Sequence, residues 1–269
     1  MTFSKKISNV ITISFLLVGS SQVTLAKGAN PTAKEIITKV RDQATVKNYQ
    51  ADVNMILIDK KGNKRTRNIT SFAKDIDGEY HSLSFFTSPA DVKGTSFLSI
   101  SKKEKSSDNS MWLYLPAIKK VNKISQVDRH QKFMGSDFSY ADMEPIRLDN
   151  YSFKLLPKNN PDHWIIESMP LTTQEAEASG YSKSVMYIHK TKNLITRAAR
   201  WIHDSDQVKI FKANDTKQID GIWTVTKAEM MLKQGSKTLH TTQMSLSNVS
   251  YSISKPKNFY STRMMQRGI

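Results

Sequence analysis

The chain has 269 residues, a formal net charge of +16 and no cysteine, which excludes disulfides, thiolate catalysis and a lipid-modified cysteine. Such a charge favours polyanions or anionic membrane faces. Nucleic acid would be a natural partner for a cytosolic chain, and the N-terminal pattern argues against one here.

That pattern is secretory. Lys5 and Lys6 precede an apolar segment over residues 10–18, and small and polar residues lead to Thr24-Leu25-Ala26. Cleavage after Ala26 is expected, and losing the two lysines lowers the charge to +14. The apolar segment is broken by Thr12 and Ser14 and falls short of the roughly 20 residues a bilayer span needs. Residues 1–26 therefore read as a removed signal peptide and residues 27–269 as one exported, soluble domain, without a linker or internal repeat to divide it.

Residues 32–46 form the one convincing long helix. Thr32 with Glu35 makes a capping box after Pro31, and Ile36, Ile37, Val40 and Ala44 recur at helical spacing. Beyond Tyr49 the period becomes two, with Ala51, Val53, Met55 and Leu57 opposed to Asp52 and Asn54. The turns 59–63 and 75–78 then set off strands over residues 64–74 and 79–86, and another follows over 95–101. In the second half, strands are expected over residues 151–156, 163–169, 183–189, 194–202, 207–213, 222–232 and 237–249. This is the rhythm of an antiparallel meander. About a dozen strands and one long helix imply a mainly β fold, a single strongly curved antiparallel sheet whose concave face a helix can plug.

Residues 111–143 hold the most informative stretch. Met111-Trp112-Leu113-Tyr114-Leu115 ends at Pro116, a basic patch follows at Lys119, Lys120 and Lys123, and a Gly135-Ser136-Asp137 loop is ringed by Phe133, Met134, Phe138 and Tyr140. The pattern fits either the core of a strand and its turn or the wall of a site for something apolar. Methionines 55, 111, 134, 143, 230 and 231 are suited to irregular apolar space, and equally to ordinary strand core.

Catalytic arrangements find little support. The six histidines are never closer than 14 positions, so no short metal-ligand spacing exists, and no metal or cofactor is expected. Ser99-Ile100-Ser101-Lys102 and Ser107-Asp108-Asn109 match two motifs of penicillin-recognising enzymes, yet they lie in one strand and its loop with no Lys-Thr-Gly to complete them. The Gly-Ser-Asp loop has no base near it in sequence. No catalytic residue is assigned.

The central stretch resembles the bacterial outer-membrane lipoprotein-sorting proteins related to LolA and LolB. The resemblance rests on Trp112-Leu113-Tyr114-Leu115-Pro116, on Lys119-Lys120-Val121 and Ile124, and above all on Phe133-Met134-Gly135-Ser136-Asp137-Phe138-Ser139-Tyr140 with Asp142-Met143. Lys93-Gly94-Thr95 and Phe97-Leu98 add to it. It implies a half-open β-barrel closed by helices, with an N-terminal helix and short helices over the concave face. It also implies a periplasmic carrier that moves acyl chains of lipids or lipoproteins between inner and outer membrane. Phe97, Trp112, Tyr114, Phe133, Met134, Phe138 and Tyr140 would line or gate the cavity, and Lys119, Lys120 and Lys123 would meet a head group or membrane face. Members of this branch often accompany exporters of the resistance-nodulation-division type. The alternative is thus an accessory protein that docks such an exporter and carries nothing. Asn122 stands where related sequences tend to carry a basic residue. No residue matches by motif the arginine with which LolA latches its lid; Arg65 and Arg67 are the available ones.

Overall fold

The computed structural model describes residues 30–102, 109–157 and 160–269, so the expected signal peptide lies outside the described residues. The first helix, α1 (Ala33–Ala44), begins where the sequence places it. The Thr32 hydroxyl accepts from the Glu35 backbone, and the Glu35 carboxylate accepts in turn from the Thr32 backbone at 2.7 Å. The apolar stripe of α1 buries Ile36, Ile37 and Val40.

Thirteen strands follow among the described residues. They are β1 (Asn48–Asp59), β2 (Lys64–Ile76), β3 (Glu79–Ser88), β4 (Ser96–Lys102), β5 (Ser110–Leu115) and β6 (Lys120–Ile124), then β7 (Tyr151–Leu155), β8 (His163–Pro170), β9 (Tyr181–His189), β10 (Ile195–Ile202), β11 (Gln207–Ile219), β12 (Ile222–Gln234) and β13 (Lys237–Ser250). All belong to one antiparallel sheet in the order β6-β5-β4-β3-β2-β1-β13-β12-β11-β10-β9-β8-β7. Pairing of β1 with β13, from Gln50 opposite Ser250 to Asp59 opposite His240, joins two six-to-seven-strand meanders. β6 and β7 remain edges, so the sheet is a curved half-barrel that does not close.

Two short helices complete the described chain, α2 (Thr173–Ser179) and α3 (Thr262–Arg267). The family resemblance implies short helices, but the sequence pattern located neither of these, nor β6, which it presents only as a basic patch. Pro31–Ile269 forms one compact unit.

Strand alternation sorts the core onto two faces. On one, α1 packs against Ile166, Met186, Ile188 and Ala198. The same face of β1–β5 buries Met55, Leu57, Ile69, Phe86, Phe97 and Met111 beneath Phe133 and Tyr140. This is the inner face. On the other, Phe72, Leu83, Phe85 and Leu98 pack with Tyr260 and Met265, so α3 covers the outer face of β2–β5.

Candidate functional site

The connection from β6 to β7, residues 125–150, runs between the two sheet edges and lies over the inner face. Four sets of contacts hold it. Phe133 packs at 5.2 Å from Phe97, 5.9 Å from Phe86 and 5.7 Å, edge-on, from Tyr140. Such ring pairs add roughly 0.5–1.5 kcal/mol each beyond their buried area.

The second contact is the tip. Met134 and Gly135 both take positive φ, 49° and 80°, which turns the chain so that Asp137 points into the sheet. The Asp137 backbone donates to the Thr242 hydroxyl, and that hydroxyl donates to the Asp137 carboxylate, each at 2.8 Å. His240 Nδ1 lies 2.7 Å from the same carboxylate oxygen. Sequence offered this loop no base; the fold brings His240 from β13. Ser136 is fully buried and its hydroxyl is bonded to the Phe138 carbonyl, so it is not presented as a nucleophile.

Asp142 is the third anchor. It forms a buried ion pair with Arg200 of β10, accepts from the Ser139 backbone and the Tyr181 hydroxyl at 2.8 Å, and lies 3.9 Å from Lys209 of β11. Burial alone would raise its carboxyl, but Arg200, Lys209 and these hydrogen bonds outweigh it and hold Asp142 below its ordinary value. Burial lowers Lys209, against the pull of Asp142. Burial also lifts Tyr181 well above the usual phenol value, and the neighbouring Asp142 charge adds to it. The fourth anchor is Arg129, which donates to the Asn109 carbonyl at 2.6 Å and pairs with Glu144 at 3.5 Å. Burial raises the Glu144 carboxyl despite Arg129.

The crossing segment leaves two sizeable spaces. One, of about 380 Å³, lies between α1 and the inner face of β10–β13, lined by Val40 and Ala44, by Phe211, Trp223, Val225, Met230 and Leu246, and by Tyr49, Tyr80 and Tyr251. Phe138 and the Asp142–Arg200 pair contribute its inner end. The other, of about 440 Å³, includes the charged and polar side chains of His130, Lys132, Asp137, His203 and Lys209 in its wall.

The structure separates the residues expected to line one cavity. Phe138 reaches the apolar space. Phe97, Phe133 and Tyr140 form the buried ring cluster, with Met134 packed on it. Trp112 and Tyr114 project from the opposite face of β5, against the outer cluster that includes Leu98, Tyr260 and Met265. Lys119, Lys120 and Lys123 are exposed at and beside the β5–β6 turn. The arginines that fasten the segment are Arg200 and Arg129; Arg65 is exposed and Arg67 pairs with Asp91 at 3.2 Å. Of the methionines, Met55 and Met111 are core beneath the ring cluster, whereas Met230 lines the apolar space. Sequence reading missed Phe211, Trp223, Val225 and Leu246. The alternation of Trp223 and Val225 marks one face of β12, but nothing local says that α1 lies over it.

Ser99 and Ser101 are buried in β4, and Ser107 lies outside the described residues. His163 and His189, 26 positions apart, meet across β8 and β9 with rings 5.3 Å apart. Among the described residues no group of three or more metal-binding side chains gathers, and no helix is long and apolar enough to cross a membrane.

A family model described as "Uncharacterized protein" matches residues 78–267, more than half of the chain. The chain belongs to that family. It is LolA/LolB-like in fold. A DUF1329 family protein from Desulfovibrio piger superposes with a TM-score of 0.78 at 26% identity, over 87% of this chain and 97% of that one. A putative outer membrane lipoprotein-sorting protein domain from Vibrio parahaemolyticus gives 0.77 at 25% identity, over 87% and 98%. A LolA superfamily protein from Nitrosomonas europaea shares the fold at 14% identity, with a TM-score of 0.65 over 87% of this chain and all of that one. A search of curated proteins finds no match.

Proposed function

We propose that this family member is an exported periplasmic carrier that takes acyl chains of lipids or lipoproteins into the space between α1 and β10–β13, after removal of residues 1–26. The observation that supports this most is the space itself. Its volume of about 380 Å³ lies within the usual range for ligand pockets, and its lining is chiefly aliphatic and aromatic. The likeness to a lipoprotein-sorting domain points the same way.

The energetics suit a carrier. Each buried methylene contributes about 0.8 kcal/mol, so a chain of roughly 15 gains on the order of 12 kcal/mol before costs. Release into water is then slow, and delivery needs an acceptor surface or a change in the cavity. The crossing segment is placed for such a change, since Phe138 and Asp142 line the cavity and belong to it. Lys119, Lys120 and Lys123 are the contacts we assign to a head group or membrane face, and an inner-membrane exporter of the resistance-nodulation-division type is the partner in keeping with the family resemblance. No catalytic step is assigned to the protein.

Native mass spectrometry of protein purified without detergent, followed by solvent extraction, tests the reading. Reproducible bound phospholipid or acylated peptide, lost in Leu246→Trp, which fills the cavity, would support it. A clean apo mass that takes up no lipid from membranes would overturn it and leave the exporter-docking role.

A further inference from the structure

Four adjoining β-turns at one end of the sheet carry an unbalanced charge. Because every neighbour is antiparallel, alternate turns fall at opposite ends. The β12–β13, β1–β2, β3–β4 and β5–β6 turns adjoin at one of them, with the β10–β11 and β8–β9 connections, which carry the exposed Asp204, Asp206 and Glu177, farther along the same end. Contacts confirm that the four turns adjoin in that order. Asp59 lies opposite His240 across β1 and β13, Arg67 bridges to Asp91, and Gly94 lies against Pro116, whose Cγ would be in van der Waals contact, at 3.5 Å, with an added Cβ.

The β1–β2 turn exposes Lys60, Lys61, Lys64 and Arg65. Lys93 stands on the next turn, Lys119 and Lys120 on the β5–β6 turn, and Lys237 on the other side, all exposed. The two carboxylates on these four turns, Asp59 and Asp91, are engaged. Asp59 accepts from the Lys61 and Asn63 backbone and the Asn63 side chain, and Asp91 holds Arg67. The turns at the opposite end instead mix their lysines with Asp75, Asp77, Glu79, Asp162 and Asp220. At the tip of the basic end, beside Lys119, Ile118 is 56% exposed.

We infer that this basic rim is a docking surface for an anionic lipid bilayer, with Ile118 entering the interface. A flat sheet of negative head groups is the partner that can meet cations spread over four adjoining turns at once. An exposed isoleucine among lysines gains by leaving water there. The rim is also where the crossing segment is pinned, since Asp137 bonds His240 and Thr242 at this end of β13. Docking therefore sets the bilayer next to the tip of the segment that bounds the apolar cavity. The inference deepens the carrier reading by naming the end that meets the membrane.

The test is co-sedimentation of the purified protein with phosphatidylcholine vesicles with and without phosphatidylglycerol. Binding is expected only to the anionic vesicles and is expected to vanish at high salt. At about fivefold in affinity per cation at the surface, K60Q/K61Q/K119Q/K120Q should weaken it by at least about 100-fold, and I118D should weaken it further. A control variant, K39Q/K47Q/K217Q/K227Q, loses the same charge from exposed positions off the rim and should bind within a few-fold of wild type. Equal loss in both variants would reduce the effect to net charge and overturn the inference. So would the absence of binding by the wild type, including the case in which an acidic protein proves to be the rim's partner. Bound lipid measured on the rim variant in solution keeps the two readings apart, because rim docking can fail while the cavity still holds its cargo.

Discussion

Arg200 on β10 closes a buried ion pair with Asp142, 58 positions earlier in the chain, and so ties the segment between the two sheet edges to the middle of the second meander. The Asp142 side chain is 3% exposed and that of Arg200 22%, with Lys209 and Tyr181 packed on the same carboxylate. A pair this deep is sensitive to the loss of one partner, because the other charge is then stranded away from water.

Asp142→Asn should therefore destabilise the fold by about 3–5 kcal/mol, lowering the melting temperature by roughly 6–20 °C for a domain of this size. Replacing both residues, as in Asp142→Asn with Arg200→Met, should cost less than the single change, since Arg200 is no longer stranded and only Lys209 still loses its carboxylate neighbour. Thermal melts of the two singles and the double give the coupling directly. Additive costs would mean that the pair does not hold the segment.

The same carboxyl sets an acid limb. Asp142 is below its ordinary value when folded, so it binds a proton more weakly in the folded than in the unfolded chain. Its stabilisation is complete above the unfolded value of about 3.9 and is lost as pH falls through the folded value. The gap in melting temperature between wild type and Asp142→Asn should thus narrow as pH drops from about 5 to about 3. A gap that stays constant would show that the charge of Asp142 contributes nothing.

Gly180 tests how closely the crossing segment is seated. It caps α2 with φ of 77°, and a Cβ there would lie 2.9 Å from the Cβ of His130. Gly180→Ala combines a left-handed penalty of about 1–2 kcal/mol with that clash. Gly235→Ala, at φ 56° with nothing within 4 Å, meets the backbone penalty alone. Denaturant midpoints should fall further for the first, and equal shifts would mean that His130 moves aside freely.

Most of the sheet was legible because half-buried strands alternate, as Met55 and Leu57 do against Asn54 and Ile56. β6 escaped because an exposed edge leaves Lys120, Asn122 and Lys123 without a buried side to alternate against. α2 escaped because its buried residues are Glu175, Ala176, Ala178 and Ser179, which make no apolar stripe. Its signals were the Thr172 cap on the Glu175 backbone and Gly180 at the end. The site was harder for another reason. Aromatic residues clustered in sequence, such as Phe133 and Tyr140, found partners in each other and in Phe97, and became core. The cavity instead depends on the pairing of β1 with β13, where Asp52 and Asn248 bond across 196 positions, and no local pattern records that.

Trp112 and Phe138 separate the two faces experimentally. Trp112 was expected in the cavity wall, and it packs on the outer face against the cluster that includes Leu98 and the C-terminal residues Tyr260 and Met265. Trp112→Ala should lower stability by about 3 kcal/mol, the lower end of the range for such truncations because the ring is half-buried, and should leave bound lipid unchanged per folded molecule. Phe138 is 6% exposed and lines the apolar space, so Phe138→Ala should lower both stability and lipid retention. Mass spectrometry of each variant, normalised to the folded fraction from its melt, distinguishes the outcomes. Lipid lost from Trp112→Ala but kept in Phe138→Ala would place the cargo on the outer face, beneath α3, and refute the inner cavity as its site.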